Sequence, residues 1–305
     1  MDASRLLEAL RVPTERVDVV LDTDAYNEID DQFALAYLLK QGERLHCRAI
    51  CAAPFHNQRS MGAADGMEKS YEEIIKLLTL CEREDMVASV FKGSIAFLRN
   101  ENTPIDSDAA REIVRMAQEY SAEKRLYVVA IGAITNVASA ILMDRTIIDK
   151  IVVVWLGGHA LHWSDTREFN MKQDVAAARV VFGCGVPLVQ LPCGGVVSSF
   201  AISQPELERW LIGTNPLCDY LAKNTIEYMQ KNCRNELWSK VIWDVTAVAW
   251  LVNDGNRFMA ERIIHAPMPE YDGHYALSED RHFMKYVWRI NRDALFCDLF
   301  EKLKR

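Results

Sequence analysis

The sequence predicts an α/β fold, a Rossmann-like and mainly parallel sheet flanked by helices. Three observations carry this. Short apolar β-branched runs alternate with segments of helical spacing along the chain, the pattern of βα units. Two runs, Leu126–Ile131 and Ile151–Leu156, are almost continuously apolar, as parallel strands buried on both faces are. Several runs also end in loops rich in glycine or acid, and open α/β sheets bind ligands beyond the carboxyl ends of their strands.

Taken in order, the run from Val17 reads as a buried strand, and Phe33, Leu35, Ala36, Leu38 and Leu39 read as a helix ending near Gly42. Leu45 to Ala53 is a second strand, broken by the polar loop Pro54–Ser60. Tyr71 to Cys81 has helical spacing, Met86 to Phe91 reads as a short strand, and Ala109 to Tyr120 is helical again. After the two apolar strands come a helix over Val175–Phe182, a strand over Pro187–Leu191, a helix over Leu217–Met229 and a buried helix over Val245–Val252. No linker or repeat divides the chain, so residues 1–305 read as one domain.

With half of its 305 residues hydrophobic, the chain can bury a large core. A formal net charge of -8 and a pI near 5.5 argue against a nucleic-acid backbone or an anionic membrane as partner. A small neutral or cationic ligand fits better. The N-terminal Met1–Leu10 lacks the apolar core of a signal peptide, and no stretch is long enough to span a bilayer. Eight cysteines without a Cys-x-x-Cys pair, mostly in apolar settings, point to reduced thiols and a cytoplasmic protein.

Between the first strand and helix lie five carboxylates, Asp22, Asp24, Glu28, Asp30 and Asp31, with no Lys or Arg among them. Asp at a strand end or helix start is ordinary. Five acids within ten residues repel one another unless a positive charge joins them. The spacing therefore predicts a bound metal ion, and all-oxygen ligands select a hard cation such as calcium or magnesium. Other loops belong to the same sheet edge: Gly132-Ala133-Ile134-Thr135-Asn136 and Gly157-Gly158-His159. Glu168-Phe169-Asn170 reads as an extended segment with its acid and amide on one side, or as a solvated loop. Trp243-Asp244 opens the buried helix, Asp244 either as an N-cap or as part of a site.

Together these motifs resemble the inosine-uridine-preferring nucleoside hydrolase family: Asp22-Thr23-Asp24 with Asp30-Asp31, Gly132 to Asn136, Gly157-Gly158, Glu168-Phe169-Asn170 and Trp243-Asp244 recur in its order and approximate spacing. The resemblance implies the nucleoside hydrolase fold, a tightly bound Ca2+, assembly as a homodimer or homotetramer, and hydrolysis of the N-glycosidic bond of ribonucleosides to ribose and free base. Matched position by position, Asp24 resembles a metal ligand that is also the general base, and Asp31, Asp244 and the Thr135 carbonyl resemble the remaining ligands. Asp30, Glu168, Asn170 and Asn57 match ribose-binding positions. Anionic and amide acceptors suit an oxocarbenium-like transition state.

Two departures stand out. Ala25-Tyr26-Asn27-Glu28-Ile29 is two residues longer than the family's usual spacer between Asp24 and the Asp pair, so Asn27 or Glu28 could take over a contact. The residue before the last metal aspartate, often a histidine that protonates the leaving base, is Trp243 here. That tryptophan resembles the purine-preferring branch, where the base stacks between aromatic rings, and purine nucleosides are the expected substrates. His159 and His162, in the loop after Gly158, could supply a proton or bind substrate. Tyr271–Tyr275 reads as a mobile loop able to close over the base. A haloacid-dehalogenase-type phosphatase shares the Asp-x-Asp strand end but not the other motifs. A non-catalytic nucleoside or ribose-binding protein on the same fold is the remaining alternative.

Overall fold

The computed structural model describes residues 2–233 and 237–305. Side chains alternate across the strands. In β1 (Val17–Thr23), Val19 and Leu21 enter one apolar layer and Val20 the other. In the strand Ile151–Leu156, Val152, Val154 and Leu156 face one layer and Ile151, Val153 and Trp155 the other. The apolar runs are continuous because both faces are covered. The strands β2 (Leu45–Ala52), β3 (Val90–Lys92), β4 (Leu126–Ala130), β5 (Ile151–Leu156) and β6 (Leu188–Leu191) complete a parallel array with β1.

The chain continues through two short antiparallel pairs, β7 (Ala201–Ser203) with β8 (Ser239–Val241) and β10 (Met268–Pro269) with β11 (Tyr275–Ala276). Strands β9 (Met259–His265) and β12 (Phe283–Ile290) are antiparallel to each other, and β12 lies parallel to β6. The sheet order is β3-β2-β1-β4-β5-β6-β12-β9. Its first six strands follow the doubly wound order of Rossmann folds, and the chain reverses direction of travel between β1 and β4.

One layer is covered by α1 (Ala3–Ala9), α2 (Asp30–Lys40), α3 (Ala63–Leu80) and three later helices: α9 (Pro216–Asn232), α10 (Val245–Trp250) and α11 (Arg292–Leu303). The other is covered by α4 (Asp108–Ala117), α5 (Thr135–Met143) and α7 (Val175–Gly183). Between these fall the short α6 (Phe169–Gln173) and α8 (Gln204–Trp210). Helix α2 is buried from Asp30 to Leu39, because α10 and α11 pack outside it. Among the described residues no helix is long and apolar enough to cross a membrane.

Three expectations are corrected. Met86–Phe91 is a strand only at its end: Glu84–Ser89 forms a 3-10 turn, and β3 starts at Val90. Only Met86 and Val90 of that run are buried, four residues apart, so the two-faced burial of a strand is missing. Glu168–Asn170 is not extended, since Glu168 caps α6 and accepts from Asn170 N and Met171 N. Tyr275 belongs to β11, where its hydroxyl is 2.8 Å from Gln190 Nε2, so the proposed loop 271–275 is tied down at its end.

Candidate active site

The acid cluster forms where β1 ends and α2 begins. Asp30 and Asp31 occupy the first turn of α2, where the helix dipole favours negative charge. Asp244 precedes α10 but makes no capping hydrogen bond. Its carboxylate instead joins Asp30 and Asp31, with one oxygen of each within 4.8 Å of the others. Thr23 Oγ1 donates to Asp31 Oδ1 at 2.6 Å. Asp24 is buried beside Asp31 and Asp30, and among the described residues no donor reaches either of its oxygens. Burial, then the charges of Asp31 and Asp30, push the Asp24 carboxyl well above its usual range. Burial and the Asp30 charge raise Asp31 to about 7. Asp244 is likewise raised, by burial and then by Asp30, Asp31 and Asp24.

A group of buried acids, one with both oxygens orphaned, is the donor set of a hard cation. The cluster is also tightly walled. A Cβ on Gly132 would lie 3.0 Å from Asp24 Cγ and Oδ1. The Gly132 carbonyl accepts from Trp155 Nε1 at 3.1 Å, which fixes the turn after β4.

The sequence placed no cation among the five acids, and the fold supplies one from far along the chain. Lys240 of β8 is buried, with Nζ 2.5 Å from Glu28 Oε2 and 3.8 Å from Asp30 Oδ1. Tyr228 of α9 donates to Glu28 Oε1 at 3.0 Å. Glu28 is thus held below the usual carboxyl range despite its burial, by Lys240, Tyr228 and Arg59. The loop between β1 and α2 carries this network: Asn27 Oδ1 accepts from Asn57 Nδ2 at 2.6 Å, and Arg59 donates to the carbonyls of Asn27 and Glu28.

Above the acids opens a cavity of about 570 Å³. Asp30, Asn57, Glu168, Asn170, Trp243 and His159 all line it. So do Asp31 and Asp244, with Ile131 at the end of β4. Glu168 accepts from Gly158 N, Asn170 N and Met171 N at 2.8–2.9 Å. Asn170 Nδ2 donates to the carbonyls of Ile131 and Leu156, both at 3.0 Å, which turns its Oδ1 to other donors. Thr135 lies apart from the cavity lining. It sits in the first turn of α5, with Oγ1 donating to Asp174 Oδ2 at 2.7 Å. His162 is exposed beside Trp163 and does not line the cavity. Lys240, Tyr228 and Ile131 carry no local sequence signal, and sequence reasoning missed them.

An acid-floored cleft at the strand ends of a doubly wound sheet, beside its switch point, defines a ligand-binding α/β protein. Residues 19–293 match the inosine-uridine preferring nucleoside hydrolase family, and the chain belongs to it. It is an enzyme that hydrolyses nucleosides. The pyrimidine-specific ribonucleoside hydrolase RihA of Salmonella enteritidis PT4 is 26% identical over 261 residues, covering 77% of this chain and 79% of its own. A purine-preferring ribonucleoside hydrolase from Gardnerella vaginalis superposes with a TM-score of 0.75 at 17% identity, over 94% of this chain and 98% of its own. An inosine-guanosine nucleoside hydrolase superposes with a TM-score of 0.74 at 16% identity, over 95% and 99%. These two likenesses bear on the fold.

Proposed function

We propose that this nucleoside hydrolase depends on one calcium ion, uses Asp24 as general base and favours purine nucleosides. One observation carries the reading: the Asp24 carboxylate is buried with both oxygens unpartnered among the described residues, beside the cluster of Asp30, Asp31 and Asp244. Asp24, Asp31 and Asp244 would hold the ion. A backbone carbonyl would join them, and we move it from Thr135 to Ile131, which lines the cavity. Asn170 uses one lone pair of that carbonyl, and a carbonyl has two.

When bound, the ion lowers the pKa of water beside it and keeps the surrounding carboxylates ionised. Asp24 then takes the water's proton as the water oxygen bonds to the anomeric carbon and the N-glycosidic bond breaks, its electron pair leaving on the base, which takes up a proton from solvent. Asp30, Glu168 and the Asn170 Oδ1 accept hydrogen bonds from sugar hydroxyls, and Asn57 borders the same space. With Lys240 and one divalent ion set against five carboxylates, the floor stays net negative, which stabilises the cationic sugar of the transition state. Trp243 and Tyr228 line the cavity and offer aromatic faces to a purine.

The proposal extends to residues 1–305 acting as one domain, to a homodimer or homotetramer, and to a cytoplasmic location, which the eight free cysteines support. Ribose release from inosine, adenosine, guanosine, uridine and cytidine, with and without calcium, tests it. The expected order places the purines first in kcat/KM. Exclusive cleavage of uridine and cytidine, as the name of the Salmonella relative would have it, would refute the purine preference.

A further inference from the structure

His159 lies in the turn after β5, half-buried at the cavity wall. Its Nδ1 is 3.0 Å from the Gly194 backbone N–H. A peptide N–H only donates, so Nδ1 accepts and the ring proton resides on Nε2. The contact is built into the fold. A Cβ at position 194 would stand 2.7 Å from Nδ1, and Trp163 packs on the imidazole with ring centroids 5.7 Å apart. Burial lowers the His159 pKa and favours the neutral ring.

Cys193 lines the cavity with Glu168, and Gly158 N, next to His159, donates to Glu168 Oε2 at 2.9 Å. Consecutive residues after β5 therefore anchor both groups at the cavity wall, Gly158 through Glu168 and His159 through Gly194.

We infer that the neutral Nε2–H of His159 and the carboxylate of Glu168 together grip one hydroxyl of the sugar, which makes His159 a specificity-determining residue. A hydroxyl both donates and accepts. Glu168 can accept its proton, and His159 can donate to its oxygen, so the pair complements the whole group. A neutral imidazole with Nδ1 capped by an N–H is too weak an acid to protonate a leaving base, so the role of proton donor falls elsewhere. The inference rests on the proposed sugar site.

The test is a cycle of wild type, His159→Ala and His159→Gln, with calcium, on inosine and on its 2′-, 3′- and 5′-deoxy analogues. His159→Ala lowers kcat/KM for inosine about tenfold, mostly through KM, and His159→Gln recovers part of the loss. On one of the three deoxy analogues the loss disappears, since the partner hydroxyl is gone. A loss that persists on all three overturns the inference, as does a fall of wild-type kcat with rising pH that the glutamine variant lacks. The same cycle read by calorimetric binding in an Asp24→Asn background follows the contact without turnover. Absence of ribose release by wild type counts against the proposed function, whereas equal penalties in the binding cycle count against His159.

Discussion

Asp24 is the residue where the local chemistry converges. It is placed by a strand end, walled by Gly132 and left without a donor. Asp24→Asn keeps the shape but cannot take a proton, so at saturating calcium kcat should fall by about 10²–10⁴ while nucleoside affinity shifts by only a few fold. Single-turnover kinetics with separate binding measurements check this, and near-normal kcat would move the base to another acid. Trp243 meets a different part of the substrate. Stacking of a base on an aromatic ring is worth about 1–3 kcal/mol, so Trp243→Ala should lower kcat/KM for inosine by about ten- to a hundredfold. Uridine should lose less, and calcium affinity should stay. Unchanged purine kinetics would reduce the tryptophan to packing.

Elements carry what single residues cannot. The loop between β1 and α2 is held by α9 and β8, through Tyr228 and Lys240 on Glu28. Removing one partner of a buried ion pair strands the other charge. Breaking such pairs costs about 3–5 kcal/mol, but the Glu28 side chain is 34% exposed to the cavity. Lys240→Met should therefore destabilise by about 2–3 kcal/mol, nearer the lower bound. Urea unfolding measures this, and the double variant Glu28→Gln/Lys240→Met should regain much of the loss. If the single and double variants unfold alike, the pair contributes little.

At the scale of the whole molecule, the strand order sets where the charge must be buried. The reversal between β1 and β4 opens a crevice that α2 and α10 fill with carboxylates, and burying them without a cation raises their pKa values. For Asp31 the folded value of about 7 exceeds the ordinary 3.8. A raised carboxyl pKa stabilises the fold at low pH, and that contribution is lost as pH rises from about 4 to about 7. A bound cation offsets the repulsion that appears, and its affinity grows as the ligands lose protons. The difference in Tm between calcium-loaded and chelated protein should thus be small near pH 4 and widen up to about pH 7. Calorimetric scans across that range check it. A difference independent of pH would separate the ion from these acids.

Much of this was written in the sequence, because some physics is local. Continuous apolar runs such as Ile151–Leu156 announce strands covered on both faces, and five acids within ten residues announce a need for positive charge. The order of motifs was enough to expect the family. Only the tertiary structure decided what depends on distant partners. Val90 starts β3 where Ile50 of β2 pairs with it, and Glu168, which caps α6 through Asn170 N and Met171 N, also accepts from the distant Gly158 N. Lys240 reaches Glu28 across 212 residues of chain, and Ile131 rather than Thr135 borders the cavity. Sequence periodicity records which way a side chain faces, whereas pairing of buried charges is settled by which segments the fold brings within a few ångströms.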